Sequence, residues 1–135
     1  MASIINASVS SSGIVSTADT SGILQIQSNG VNTNAQAWVN FNGTTSPGTI
    51  RSSYNVSSVT KTGTGDYTLN FTNVLSNANY SAVSSCGATP NLTNYGVGAG
   101  GPYTSAPTTS AYRMWVGTPS ALFDAVYISV AIFSS

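Results

Sequence analysis

The stretch Ala35-Gln36-Ala37-Trp38-Val39-Asn40-Phe41 decides the fold. In an extended chain Ala35, Ala37, Val39 and Phe41 share one face, and Gln36, Trp38 and Asn40 share the other. A period of two marks a strand with one buried side. The same pattern recurs along the chain. Tyr54, Val56 and Ser58 continue it, as do Tyr67, Leu69 and Phe71, and Tyr80 to Cys86 reads as a further strand. Tyr112, Met114 and Val116 align opposite Arg113 and Trp115. The last segment, 125–133, is apolar on both faces: Val126, Ile128, Val130 and Ile132 oppose Tyr127, Ala131 and Phe133. That predicts a central strand covered on both sides, by its own sandwich or by a neighbouring subunit.

Turn chemistry separates these runs. Thr62-Gly63-Thr64-Gly65-Asp66 predicts a hairpin between the Tyr54 and Tyr67 strands, because glycine adopts positive φ at no steric cost. Asn42-Gly43-Thr44-Thr45-Ser46-Pro47-Gly48 closes the Trp38 strand. Residues 87–110, with Pro90, Pro102, Pro107 and the glycines of 96–101, form the longest irregular segment. Helical periodicity is missing almost everywhere. Thr118-Pro119 offers the start of one short turn, with Thr118 as N-cap and Pro119 in the first helical position, but nothing sustains it because the run that follows reads as strand. Many short strands at this spacing give an all-β fold, an antiparallel, jelly-roll-like β-sandwich over 35–135. Residues 1–34 hold too few large side chains for a core of their own. They read as an extended arm or stalk that docks and oligomerises, or else as the first hairpin of the sandwich.

At 135 residues the chain is one domain. It is 41% hydrophobic but only 4% charged, with no histidine, and its formal net charge is zero. Disorder couples low hydrophobicity with high net charge, so that class is excluded. Weak electrostatics argue against nucleic acid and membrane-surface partners. No apolar run is long enough for a transmembrane helix. Met1-Ala2-Ser3-Ile4-Ile5-Asn6 lacks the basic start of a signal peptide, which predicts synthesis in a cytoplasm without a cleaved leader. A neutral surface gives up the charge repulsion that keeps monomers apart, and this points to a homo-oligomer.

The ionisable set is Arg51, Lys61, Arg113, Asp19, Asp66 and Asp124. Without histidine no Ser-His-Asp triad can form, and Cys86 lacks the imidazole a thiolate nucleophile needs. Lys61 sits beside a glycine turn, where a solvated ammonium is expected. Asp66 reads as a turn residue that hydrogen-bonds its own backbone. The chain is read as non-enzymatic, with no cofactor and no metal site. Cys86 is alone, which rules out an intrachain disulfide and predicts an inert strand thiol. The triplets at Asn6, Asn42, Asn55, Asn70, Asn79 and Asn91 fit the glycosylation pattern, but so asparagine-rich a chain makes them weak signals.

Seven Tyr and two Trp among abundant Ser, Asn and Gly combine rigid amphipathic rings with adaptable hydrogen-bonding groups. Trp38 and Trp115 fall on faces opposite the apolar ones, where they stack on sugars, fill a partner pocket or form a subunit interface. Tyr95 and Tyr103 lie in the glycine-rich segment 87–110. With Asn94 they are the predicted contact residues for a receptor or a neighbouring protomer.

The runs Ala35 to Thr44, Ile50 to Val59 and Gly63 to Phe71 resemble a β module recurrent in tail fibres of tailed bacteriophages, cyanophages included. Asp19 to Val31 looks like the segment that often precedes it. The likeness covers roughly the first two-thirds of the chain, and the rest matches in texture. It implies a non-enzymatic virion protein, commonly a homotrimer, placed as a small tail-fibre or fibre-tip component in host attachment. Its implied partners are other virion proteins and a host surface glycan. The chain departs from the family in being short, which leaves a capsid decoration or a tail structural protein as the alternative.

Overall fold

The computed structural model describes residues 27–28, 31–87, 98–100, 105–118 and 121–134. Ten strands run in the order β1 (Gln27–Ser28), β2 (Val31–Asn32), β3 (Ala37–Asn42), β4 (Thr49–Tyr54), β5 (Val56–Gly63), β6 (Asp66–Phe71), β7 (Ser81–Gly87), β8 (Gly98–Gly100), β9 (Ala111–Gly117) and β10 (Tyr127–Phe133). No helix occurs among the described residues. Two four-stranded antiparallel sheets, β4-β3-β10-β7 and β5-β6-β9-β8, make the expected β-sandwich. Each of β3–β4, β5–β6 and β8–β9 joins neighbours within one sheet, while the other connections from β4 onward cross between the sheets. The short β1–β2 pair is a sheet of its own, separate from both layers. Most of the arm 1–34 lies outside the described residues.

The core is the set of inward faces that alternation predicts. Ala37, Val39 and Phe41 of β3 and Ile128, Val130 and Ile132 of β10 meet Tyr67, Leu69 and Phe71 of β6 and Tyr112, Met114 and Val116 of β9. Burial of these side chains is the main driving force for closing the two layers. Phe41 and Tyr67 pack edge-to-face with centroids 5.2 Å apart, and Phe71, Tyr80 and Tyr112 form a second edge-to-face chain. Tyr80, the middle ring of that chain, is fixed by its hydroxyl, which donates toward the carbonyls of Thr108 and Ala111.

Two expectations need correction. The period-two run at Tyr54, Val56 and Ser58 is not one strand. Asn55 has φ 54°, a left-handed conformation, and it turns the chain from β4 in one sheet to β5 in the other. Its amide is fully used: Nδ2 donates to the carbonyls of Gln36 and Asn73, and Oδ1 accepts from the Asn73 N–H at 2.7 Å. Segment 87–110 is not wholly irregular, because Gly98–Gly100 forms β8 at the sheet edge beside β9. At Thr118 the capping bond exists, from the Ala121 N–H to Oγ1. Yet the Thr118 N–H donates to the Ala121 carbonyl and Gly117 bridges Leu122. The first helical position read for Pro119 lies outside the described residues.

The hairpin at 62–66 forms as expected, with Gly65 at φ 64°. A side chain there would run into the backbone of Val116 and Phe123. At Gly43 a Cβ would meet the Tyr67 ring and lie 2.6 Å from Ile128 Cδ1, so this glycine lets the β3–β4 loop close over the core.

Candidate functional site

Asn94, Tyr95 and Tyr103 lie outside the described residues. The described chemistry gathers in two places: a polar latch at one end of the sandwich, and the outer face of the sheet β4-β3-β10-β7.

The latch is built on Asp124, in the connection from β9 to β10. Its Oδ2 is 2.7 Å from Lys61 Nζ, and its Oδ1 accepts from the Gly65 N–H at 2.9 Å and from the Tyr67 hydroxyl at 2.7 Å. The hydroxyl also sits 3.0 Å from the Gly43 carbonyl. Partial burial alone would push the Asp124 carboxyl up. The bonds from Lys61, Gly65 and Tyr67, together with the Lys61 charge, outweigh that and hold it below the ordinary carboxylate value. The Tyr67 phenol is driven well above its usual range, first by burial and then by its bond to the carboxylate. Lys61 is thus a paired, mostly buried cation and not the solvated ammonium predicted.

Asp66 also departs from expectation. Its carboxylate faces Arg113 in a two-point pair, with Nε at 2.9 Å and Nη2 at 2.6 Å, instead of bonding its own turn. These two residues flank one another across β6 and β9, where Asp66 pairs with Trp115 and Thr68 with Arg113. That Asp66 bond raises the Arg113 pKa. Cys86 lies on the inward face of β7, half-buried against the core, with its thiol pKa raised by burial. A protonated thiol there is a packing group, in keeping with the strand position predicted.

The outer sheet face is organised in rows by the strand register. Tyr54, Trp38, Ala131 and Val83 pair successively across β4, β3, β10 and β7. The next row, two residues along, is Ser52, Asn40, Ser129 and Ser85. An apolar row therefore lies beside a hydroxyl-and-amide row, and Asn40 Nδ2 donates to Ser129 Oγ at 2.8 Å within the second. Five large apolar side chains of this face are open to solvent: Trp38 38%, Tyr54 42%, Val83 62%, Tyr127 57% and Phe133 38%. The doubly apolar segment 125–133 is thus covered on one side by the sandwich core and bare on the other.

The face is not flat. Small residues on the central strand, Ser129 and Ala131, form a floor, while Trp38 and Asn40 on β3 and Val83 and Ser85 on β7 form walls. The resulting trough is shallow, with a volume of ≈ 270 Å³. Its walls stand two strand spacings apart, about 9.5 Å. Tyr127 and Phe133 occupy the same face of β10 at either end. Near Tyr127 a bulge in β4 leaves Arg51 without a partner across the strand. Arg51 covers the Tyr127 ring, its Cζ 4.4 Å from the centroid, and donates to the Val126 carbonyl at 2.8 Å. Tyr127 in turn packs on Gly87, its strand partner, where a side chain would crowd the ring.

Sequence patterning placed Trp38 on a non-core face but did not assemble this trough. Its signal was the second apolar face of 125–133, interrupted by Ser129 and Ala131, whose small size matters only once β3 and β7 stand on either side. Comparison with protein-family models, with curated proteins and with solved structures finds no match.

Proposed function

We propose that this chain is a non-enzymatic virion structural protein, a small tail-fibre or fibre-tip component that contributes to host attachment. The observation that carries the reading is the contrast between its ionisable groups and its outer sheet face. Each described ionisable side chain is committed to a contact within the fold: Lys61 with Asp124, Arg113 with Asp66, and Arg51 over Tyr127. The exposed face offers neutral rings, hydroxyls and amides instead, which suits recognition by contact rather than proton transfer. The likeness of residues 35–71 to a tail-fibre module supports the same reading.

The chain acts as a homo-oligomer, a trimer by that likeness, with segment 1–34 as the docking element. Support comes from the zero net charge and from the separateness of the β1–β2 sheet. A second reading, a capsid decoration or tail protein that binds mainly other virion proteins, is favoured by Val74 and Leu122, which are exposed away from the trough at 72% and 42%.

A particle reconstruction tests both. A distal tail position is expected from the first reading, and regular placement over capsomers or within the tail from the second. Absence of the chain from the particle refutes both. Light scattering at micromolar concentration tests the oligomer, and a monomer contradicts it.

A further inference from the structure

We propose that the trough on the sheet β4-β3-β10-β7 is a binding site for an uncharged saccharide, with a pyranose ring seated over Ala131 and Ser129 against Trp38. The inference rests on the attachment reading above and assigns its contact to the sheet face rather than to segment 87–110. A pyranose has an apolar C–H face and a rim of hydroxyls. The trough offers the matching pair of surfaces in adjacent rows: Trp38, Ala131 and Val83 for the ring face, and Asn40, Ser129 and Ser85 for the rim.

The polar groups are already oriented. Asn40 Nδ2 is spent on Ser129 Oγ, which fixes the amide so that Oδ1 is its accepting side. Ser129 accepts that bond and keeps its own proton to donate. Ser85 is exposed on the opposite wall. The guanidinium nearest the trough, Arg51, is held by the Tyr127 ring and the Val126 carbonyl and reaches Asn40 Oδ1 only at 3.5 Å. No charged side chain lines the trough itself, so its amide, hydroxyls and apolar row match a neutral ring and offer the charged group of a uronate, a sialate or a phosphorylated sugar no ion-pair partner within it.

A second copy of the chain fits the same face less well. Stacked with trough over trough, two such sheets would enclose a void, and voids in packed interfaces are destabilising. Interface cores are also depleted in serine, whereas Ser52, Ser85 and Ser129 run across this one. A ring with hydroxyl edges fills the depression and partners the serines at once.

The test is an NMR titration of the full chain with glucose, galactose, rhamnose and N-acetylglucosamine up to about 10 mM, the range of weak single-ring binding. Galacturonate and sialic acid serve as charged probes. At least one neutral sugar is expected to shift resonances of Trp38, Ser129 and Ala131. Ala131→Leu raises the floor from the solvent side, and its affinity is expected to fall at least tenfold while its thermal midpoint and spectral dispersion hold. Trp38→Ala should weaken binding similarly, so that one misfolded variant does not decide the matter. No binding by any neutral probe overturns the proposal. So does binding that Ala131→Leu leaves intact, binding by the charged probes alone, or a wild-type oligomer that Ala131→Leu converts to monomer. The attachment reading fails separately, by absence of the chain from the particle, whatever the sugars do.

Discussion

Replacing Tyr67 with Phe removes one oxygen from the latch and leaves the rest of the core in place. The ring keeps its edge contact with Phe41, 5.2 Å between centroids, and stays fully buried. The loss is the 2.7 Å hydrogen bond to Asp124. A hydrogen bond to a charged group contributes about 1.5–3 kcal/mol. Asp124 retains Lys61 and the Gly65 N–H, and its side chain is 26% exposed, so water replaces part of what is lost. The expected cost therefore lies in the lower half of that range, about 1.5–2 kcal/mol. For a domain of this size it corresponds to a fall in melting temperature of about 5–9 °C. Calorimetry or chemical denaturation of Tyr67→Phe, Asp124→Asn and the double variant measures the coupling directly. A loss under about 0.5 kcal/mol, or additive single effects, would refute the latch as a cooperative unit.

Asn55→Ala should cost about 2–4 kcal/mol, since it loses three hydrogen bonds and leaves in the left-handed conformation a residue without the polar side chain that lets asparagine tolerate it. Asn55→Gly should cost less by urea denaturation, and equal losses would contradict the role given to φ. In acid, the lowered Asp124 pKa stabilises the fold above the ordinary value of 3.8, and this contribution is lost as pH falls through the folded-state value. Denaturation curves should show the loss in the wild type and a flatter profile in Asp124→Asn. In alkali, Tyr80 is pushed up to about 12, chiefly by burial, and the Tyr67 pKa is raised too. The Tyr80 contribution is complete below pH 10 and lost as pH rises through about 12, and that of Tyr67 is likewise lost only as pH rises. Phenolate absorbance should therefore show these tyrosines ionising only as the chain unfolds.

The layers of the sandwich were legible because alternation is a local property. Ala37, Val39 and Phe41 announce the buried side of β3 without reference to any other strand, and Tyr67, Leu69 and Phe71 do the same for β6. The break at Asn55 was hidden because Tyr54 and Val56 keep the period across it, although the two residues belong to different sheets. Only the amide bonding to Gln36 and Asn73 reveals why asparagine stands there. The ion pairs were equally out of reach, since Lys61 and Asp124 are 63 positions apart and meet only when β5 and the β9–β10 connection converge. The trough needed the register itself. Trp38, Ala131 and Val83 come from three separate strands, and no local pattern says that they stand in one row.

The most direct test of the account is competition for adsorption, with purified chain added to host cells before tailed particles that carry it. The account predicts that wild-type chain slows adsorption in a dose-dependent way and that equally folded Ala131→Leu chain does not. Unchanged adsorption with the wild type, or equal inhibition by both, contradicts it.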